Sequence, residues 1–268
     1  MLVTLLTDFG TADYYAGAMR GAVLAVNPAA RVADITHEIP PQDVEAAAFT
    51  LLAAYDAFPP GTAHVAVVDP GVGSARRPLV VVTENYLFVG PDNGLFTHVC
   101  EREGAHQTFH LTNRKYFRDE VSATFHGRDV FAPVAGALTL GVGAEELGEP
   151  IADEVRLESL APRVAADGAV EGRVIHVDRF GNLVTNVTRR EFSDEQLGRG
   201  ARLSVGGREI KSLRRFYAEE AGGEAGEAFA IWGSAGFLEI SVKRDSAARL
   251  LGVTRGRPVL ITTPKAGG

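Results

Sequence analysis

Through its first half the chain alternates short, β-rich apolar runs with longer segments of helix formers. Residues 2–6 predict a buried strand that ends on the polar turn Thr7-Asp8-Phe9-Gly10. Residues 14–26 predict a helix that stops at Asn27-Pro28, because proline cannot continue one. Residues 31–36 read as a second strand, and Asp43 is suited to cap a helix running through 57, which Pro59-Pro60-Gly61 closes. A third strand over 63–68 leads into Asp69-Pro70-Gly71-Val72-Gly73. Strands over 79–83 and 86–89 surround a tight turn. A helix over 95–103, an extended run over 107–111 and a helix of small and apolar residues over 127–140 follow. Such alternation predicts an α/β fold: a mostly parallel α/β/α sandwich.

Beyond a proline- and charge-containing stretch at 150–162 the pattern changes to strands and hairpins. Residues 173–177 and 183–187 flank Asp178-Arg179-Phe180-Gly181-Asn182, and 202–205 and 209–211 flank the hairpin signal Gly206-Gly207. Residues 228–232 and 237–242 flank Gly233-Ser234-Ala235-Gly236, and 257–263 read as a last strand. This pattern predicts a small C-terminal antiparallel β-barrel domain. The expected domains are therefore 1–158 and 159–268. Residues 219–227, rich in Gly, Ala and Glu, read as a mobile surface loop.

Charge sharpens the division. Residues 1–155 hold 20 Asp and Glu against 9 Lys and Arg, and residues 156–268 hold 14 against 18. An acidic half draws a cationic small substrate, and it also favours solubility and attraction between the halves. The net charge of −7 argues against nucleic acid as a partner. A single cysteine, Cys100, excludes an internal disulfide and a multi-cysteine metal site. No apolar run approaches a membrane span, and no signal segment is read, so the expected location is the cytoplasm.

Polar residues gather after strand ends, where open α/β sheets carry their ligand crevice. Asp8 and Asp69 stand there, and a carboxylate can grip a ribose diol through two accepted hydrogen bonds, or simply cap a helix. Asp69 and Arg76 lie on one glycine-containing loop, close enough to pair, and His126 stands just before a helix. Together the three can hold a water, or form a surface ion pair beside a capping histidine. Asp8, Asp69, His126 and Asp129 also offer a carboxylate–histidine set, although no metal-binding spacing is present. In the second half, Asp178, Phe180 and Asn182 supply a charge, an aromatic face and an amide, a trio suited to a purine and an ammonium or to an ordinary hairpin turn.

Taken in order, these segments resemble the S-adenosyl-L-methionine (SAM) hydrolases that form adenosine. These are the SAM hydroxide adenosyltransferases, relatives of fluorinase and chlorinase. The resemblance rests on Thr7-Asp8-Phe9-Gly10, Asp34-Ile35-Thr36-His37, Val68-Asp69-Pro70-Gly71-Val72-Gly73, Arg76-Arg77, Gly90-Pro91-Asp92-Asn93-Gly94, Phe125-His126-Gly127-Arg128-Asp129, Asp178-Arg179-Phe180-Gly181-Asn182 and Ser234-Ala235-Gly236-Phe237-Leu238-Glu239. It implies an N-terminal α/β domain, a C-terminal β-barrel and a homotrimer with sites between subunits. It implies a water-binding triad of Asp69, Arg76 and His126, and a substrate pocket lined by Asp8, Phe9, Val72, Gly127, Asp178, Phe180, Asn182, Ser234, Glu239 and Val242. Asp8 would take the ribose hydroxyls, Phe180 and Asn182 the adenine, and Asp178 the methionine amine. Val72 and Gly127 stand where fluorinase has a threonine and a serine, which favours water over halide. Gln42 stands where fluorinase has a tryptophan beside the ligand. The implied reaction splits SAM with water into adenosine and L-methionine, with no metal or organic cofactor. The alternatives are a non-catalytic adenosine or SAM sensor, a halogenase of the same family, and a metal-dependent phosphoesterase.

Overall fold

In the computed structural model, which describes residues 1–198, 200–219 and 226–262, the chain forms two compact units, Met1–Ser159 and Leu160–Gly268. The first contains β1 (Leu2–Thr7), α1 (Tyr15–Val26), β2 (Arg31–Thr36), α2 (Val44–Ala54), β3 (Ala63–Val67), β4 (Pro78–Thr83), β5 (Leu87–Pro91), α3 (Thr97–Glu103), β6 (His106–Leu111), α4 (Ala132–Thr139), α5 (Ala144–Leu147) and β7 (Gly148–Ile151). Its strands form one sheet in the order β2-β1-β3-β5-β4-β6-β7. The strands β2, β1, β3 and β5 run parallel. The pairs β5–β4, β4–β6 and β6–β7 are antiparallel, so the expectation of a mostly parallel sheet is corrected at this edge. The reason is the connection: the tight turn at 84–86 is too short for a crossover and can only join antiparallel neighbours.

Alternate strand residues point to opposite faces. Val3 and Leu5 of β1, Val65 and Val67 of β3 and Val89 of β5 join Met19 and Val23 of α1 and Val134 and Leu138 of α4 in one core. Between them Leu6, His64, Ala66 and Phe88 are buried from the other side. There Tyr55, just after α2, packs edge-on to His64 and Phe88. Asp43 caps α2 by accepting the Ala46 N–H at 3.0 Å.

The helix expected over 127–140 starts as a π-turn, Gly127–Phe131, before α4 begins. Pro133 causes part of this. It has no N–H for the carbonyl of Asp129, which instead accepts the Arg118 N–H at 2.9 Å. The wider turn shapes the backbone directly after His126, and such insertions recur at functional sites.

His64 carries a stability prediction. Its ring is fully buried, bonds Thr4 Oγ1 at 2.7 Å, and is pushed down to about 4 by burial. The unfolded chain binds this proton at about 6.5, so stability is full above that pH and is lost as pH falls toward 4. The expected loss is about 3 kcal/mol. Denaturant unfolding across this window should show it in the native protein and not in His64→Phe; parallel profiles would remove His64 as the cause.

The second unit contains β8 (Arg163–Val164), β9 (Val170–Val177), β10 (Leu183–Thr188), α6 (Asp194–Gly198), β11 (Arg202–Val205), β12 (Arg208–Ile210), β13 (Leu213–Arg214), β14 (Ala228–Trp232), β15 (Phe237–Val242), α7 (Ala247–Leu251) and β16 (Pro258–Thr262). The strands run β12-β11-β16-β9-β10-β15-β14-β13, with β8 on β9, in one sheet curled as a half-barrel. Every pairing is antiparallel except β13 with β14. Val174, Leu183, Leu203, Ile240 and Val259 meet in its core. The loop expected at 219–227 falls largely outside the described residues, as does position 263.

Candidate active site

In the first unit, the loops after the parallel strands converge. Asp8 follows β1, and its Oδ2 accepts the Gln42 N–H at 2.8 Å, which leaves Oδ1 open. The segment 34–37 supports this loop from behind. His37 Nδ1 bonds Thr7 Oγ1 at 2.8 Å, its Nε2 lies 3.2 Å from Asp34 Oδ1, and Arg20 pairs with Asp34. Burial alone would raise the Asp34 carboxyl, but Arg20 and His37 outweigh it and hold the group below its ordinary value.

Asp69 follows β3, on a loop held from several sides. Asn93 Nδ2 donates to Val68 O at 2.8 Å, and Ser74 Oγ donates to Gly71 O at 2.6 Å. The neighbouring Arg77 pairs with Asp92 and Asp153, so it fixes the loop and leaves the pairing with Asp69 to Arg76. Arg76 Nε donates to Asp69 Oδ1 and Oδ2 at 2.9 and 3.0 Å, and Nη2 also pairs with Oδ2. The same Nη2 lies 2.8 Å from His126 Nδ1. A guanidinium can only donate, so Nδ1 accepts and the proton of neutral His126 sits on Nε2. Burial, and then the charge of Arg76, lower the His126 pKa and favour this neutral form. Arg76 Nη1 is buried and has no hydrogen-bond partner among the described residues.

Asp8, Phe9, Asp69, Val72, His126 and Gly127 line one cleft of about 430 Å³. Arg76 stands beside it, fixed by Asp69 and packed over the Phe131 ring. Tyr15, Thr124 and Phe125 also line it and are not among the candidate site residues named from sequence, and Gln42, noted there as standing at the fluorinase tryptophan's position, lines it as well. Phe9, Tyr15 and Phe125 form one aromatic wall with ring centroids 5.2–5.8 Å apart. Their signal was present in the motifs that hold Asp8 and His126, but aromatic neighbours alone do not separate a wall from a core. Asp129 does not join the cleft. It is fully buried, accepts from Arg128 and from the Ser122 N–H, and is held below its ordinary value by them against the opposing effect of burial. Among the described residues, no group of three or more His, Cys, Asp and Glu is arranged to hold a metal.

In the second unit, Asp178, Phe180, Asn182, Ser234, Glu239 and Val242 line a pocket of about 1070 Å³. Asp178 Oδ1 accepts the N–H groups of Phe180 and Asn182 at 2.9 and 2.8 Å, and its Oδ2 accepts Asn182 Nδ2 at 2.8 Å. The Asn182 amide is thereby oriented, with its oxygen left to accept. Phe180 is 77% exposed, a costly placement for a large apolar ring that offers a stacking face. Glu239 Oε2 accepts from Tyr217 at 3.1 Å, and burial raises its carboxyl above the ordinary range. Tyr217 and Trp232 also line this pocket, and neither lies in a motif that sequence reading could have weighed.

Comparison with known proteins places the arrangement. The SAM hydroxide adenosyltransferase N-terminal domain model matches residues 3–148, and the corresponding C-terminal domain model matches residues 172–260. The chain is 39% identical to an (R)-S-adenosyl-L-methionine hydrolase of Thermus thermophilus over 269 residues, covering 96% of this chain and 98% of that protein. It is 37% identical to the enzyme of the same name from Methanocaldococcus jannaschii over 263 residues, covering 94% and 92%. A fluorinase of an Actinoplanes species is more distant, at 25% identity over 76% of this chain and 77% of its own. Among solved structures, an uncharacterized conserved protein from Thermotoga maritima superposes with a TM-score of 0.88 at 36% identity, covering 98% of this chain and all of that one. The matched domain models span most of the sequence, and the chain belongs to the SAM hydroxide adenosyltransferase family.

Proposed function

We propose that this protein hydrolyses S-adenosyl-L-methionine to adenosine and L-methionine by in-line attack of water on the ribose 5′-carbon. The carrying observation is the Asp69–Arg76–His126 array at a cleft that also presents a free oxygen of Asp8. The named hydrolase relatives support the substrate, and their names specify the R configuration at sulfur. The same epimer is the proposed substrate here.

The water oxygen bonds to C5′ as the C5′–S bond breaks, and the bonding pair passes to sulfur. The sulfonium leaves as a neutral thioether, so no general acid is needed. His126 Nε2–H and Arg76 donate to the developing hydroxide. His126 Nδ1 is occupied by Arg76, which leaves Asp69 as the triad's acceptor; a carboxylate retains lone pairs beyond those Arg76 uses. The proton passes to Asp69 and then to solvent. Holding water and C5′ near attack geometry contributes up to roughly 7–11 kcal/mol.

The substrate is cationic, which suits the open oxygen of Asp8 and the carboxylates Asp178 and Glu239. Phe180 and Asn182 receive adenine, Asp178 the amine, and Ser234, Glu239 and Val242 complete that pocket. Residues 1–158 act as the domain that carries the water-binding triad and 159–268 as a small C-terminal antiparallel β-barrel domain. The enzyme works in the cytoplasm as a homotrimer with sites at subunit interfaces, without a cofactor. The binding roles and the trimer rest on the family resemblance, the domain bounds and the location on the sequence pattern, and light scattering of the purified protein should return three chain masses.

The deciding experiment is turnover of each sulfur epimer in ¹⁸O-water without halide. Adenosine labelled at the 5′-oxygen establishes hydrolysis at that carbon. Bound adenosine with unchanged substrate would support a sensor and reject the proposal. The pH–rate profile adds a test. Protonating His126 puts a second N–H against Arg76 and opens their bond. Because its pKa is lowered, turnover should hold through about 6.5 and fall only at more acid pH. An acid limb above that value would contradict a neutral His126.

A further inference from the structure

We infer that Gln42 is a ribose-recognising residue, its side-chain amide working beside the open oxygen of Asp8 as the second arm of a cradle for a vicinal diol. The inference rests on the reading of the substrate as a nucleoside sulfonium. Gln42 has φ +64°; among the described residues Arg244, at +60°, is the other non-glycine residue with positive φ. It stands third in the turn Pro40-Pro41-Gln42-Asp43, which the Asp43 N–H closes on Pro40 O at 3.0 Å. With proline second, a positive φ at the third position is normally left to glycine or asparagine. Glutamine lacks the short side chain that eases asparagine into this region, so backbone preference does not explain it.

What the turn achieves is placement. The backbone N–H of Gln42 holds Asp8 Oδ2 at 2.8 Å, and the residue lines the cleft that contains Asp69 and His126. Its carboxamide makes no hydrogen bond among the described residues. A diol presents two O–H donors and several lone pairs. The open oxygen of Asp8 can only accept, whereas an amide both donates and accepts. Asp8 and Gln42 together therefore match a diol that either matches only in part. A site built to bond a hydroxyl rejects the analogue that lacks it.

Gln42→Gly tests this without disturbing the turn, since glycine relieves the backbone and keeps the N–H on Asp8. Calorimetry would compare adenosine with 2′,3′-dideoxyadenosine on the native protein and on Gln42→Gly, and steady-state kinetics would follow SAM. The native protein should prefer adenosine, and the variant should lose about tenfold of that preference. KM for SAM should rise by a similar factor with kcat within about twofold. Gln42→Asn, which also tolerates the turn, should recover part of the preference. A variant that keeps the native preference overturns the inference, as does a loss in kcat with the preference intact. Failure of the native protein to bind adenosine would instead overturn the SAM reading and this inference with it.

Discussion

Replacing His126 with alanine is expected to lower turnover by about 10²–10³-fold while adenosine affinity stays within severalfold. The argument starts from the bond between Arg76 Nη2 and His126 Nδ1, 2.8 Å long. It fixes the tautomer, and the tautomer fixes the role: Nε2 carries a hydrogen and donates. The donor acts on an oxygen that acquires hydroxide character only as its proton passes to Asp69 on the way to attack, so its loss falls on the transition state and spares ground-state binding. Asp69→Asn should reduce turnover comparably, because an amide cannot take the proton. It should also destabilise the fold, since it removes the charge partner of an arginine whose side chain is 9% exposed. The two substitutions differ in that second readout. Native-like turnover in both would remove the array from the chemistry, whatever else the cleft binds.

Much of this array is legible in the sequence. Asp69 and Arg76 share one loop, and a pairing seven residues apart needs only that the loop turn back on itself. The placement of Asp8 and Asp69 after parallel strands followed from β–α alternation. Other features depended on partners far apart in the chain. The support of the Asp8 loop by Thr7, His37, Asp34 and Arg20 is such a case, as is the clamp of Arg77 on Asp92 and Asp153. The antiparallel edge of the first sheet was half visible in its tight turn, but the pairing of β6 with β4 is set by packing. The π-turn after His126 was hidden because Gly-Arg-Asp-Val-Phe suits an ordinary helix start; Pro133 and the bond from Arg118 decide it. The backbone of Gln42 was hidden because nothing in the letter Gln announces a positive φ.

Gly73→Ala should lower kcat by about 10²-fold with a smaller change in KM, and its cause lies outside the chemical groups. Gly73 has φ +76°, and a Cβ there would fall 2.3 Å from the carbonyl oxygen of Ala123. That oxygen belongs to backbone and cannot swing aside as a flexible side chain would. Either the Asp69 loop or the segment leading into His126 must move. Each carries one end of the array that Arg76 spans, so a shift of an ångström loosens the grip on the water. Two other glycines separate this effect from generic strain. Gly141→Ala meets the same unfavourable conformation, at φ +88°, with nothing within 4 Å, and it should cost some stability but leave turnover unchanged. Gly71→Ala has an ordinary φ and would meet Arg76 Cγ at 3.2 Å, a contact that a shift of a few tenths of an ångström relieves, so a modest loss is expected. Turnover that ranks Gly73→Ala below Gly71→Ala, and Gly71→Ala below Gly141→Ala, would tie catalysis to the docking of these two loops. Equal effects at Gly73 and Gly141 would mean that the array tolerates displacement, and that its geometry is set by Arg76 alone.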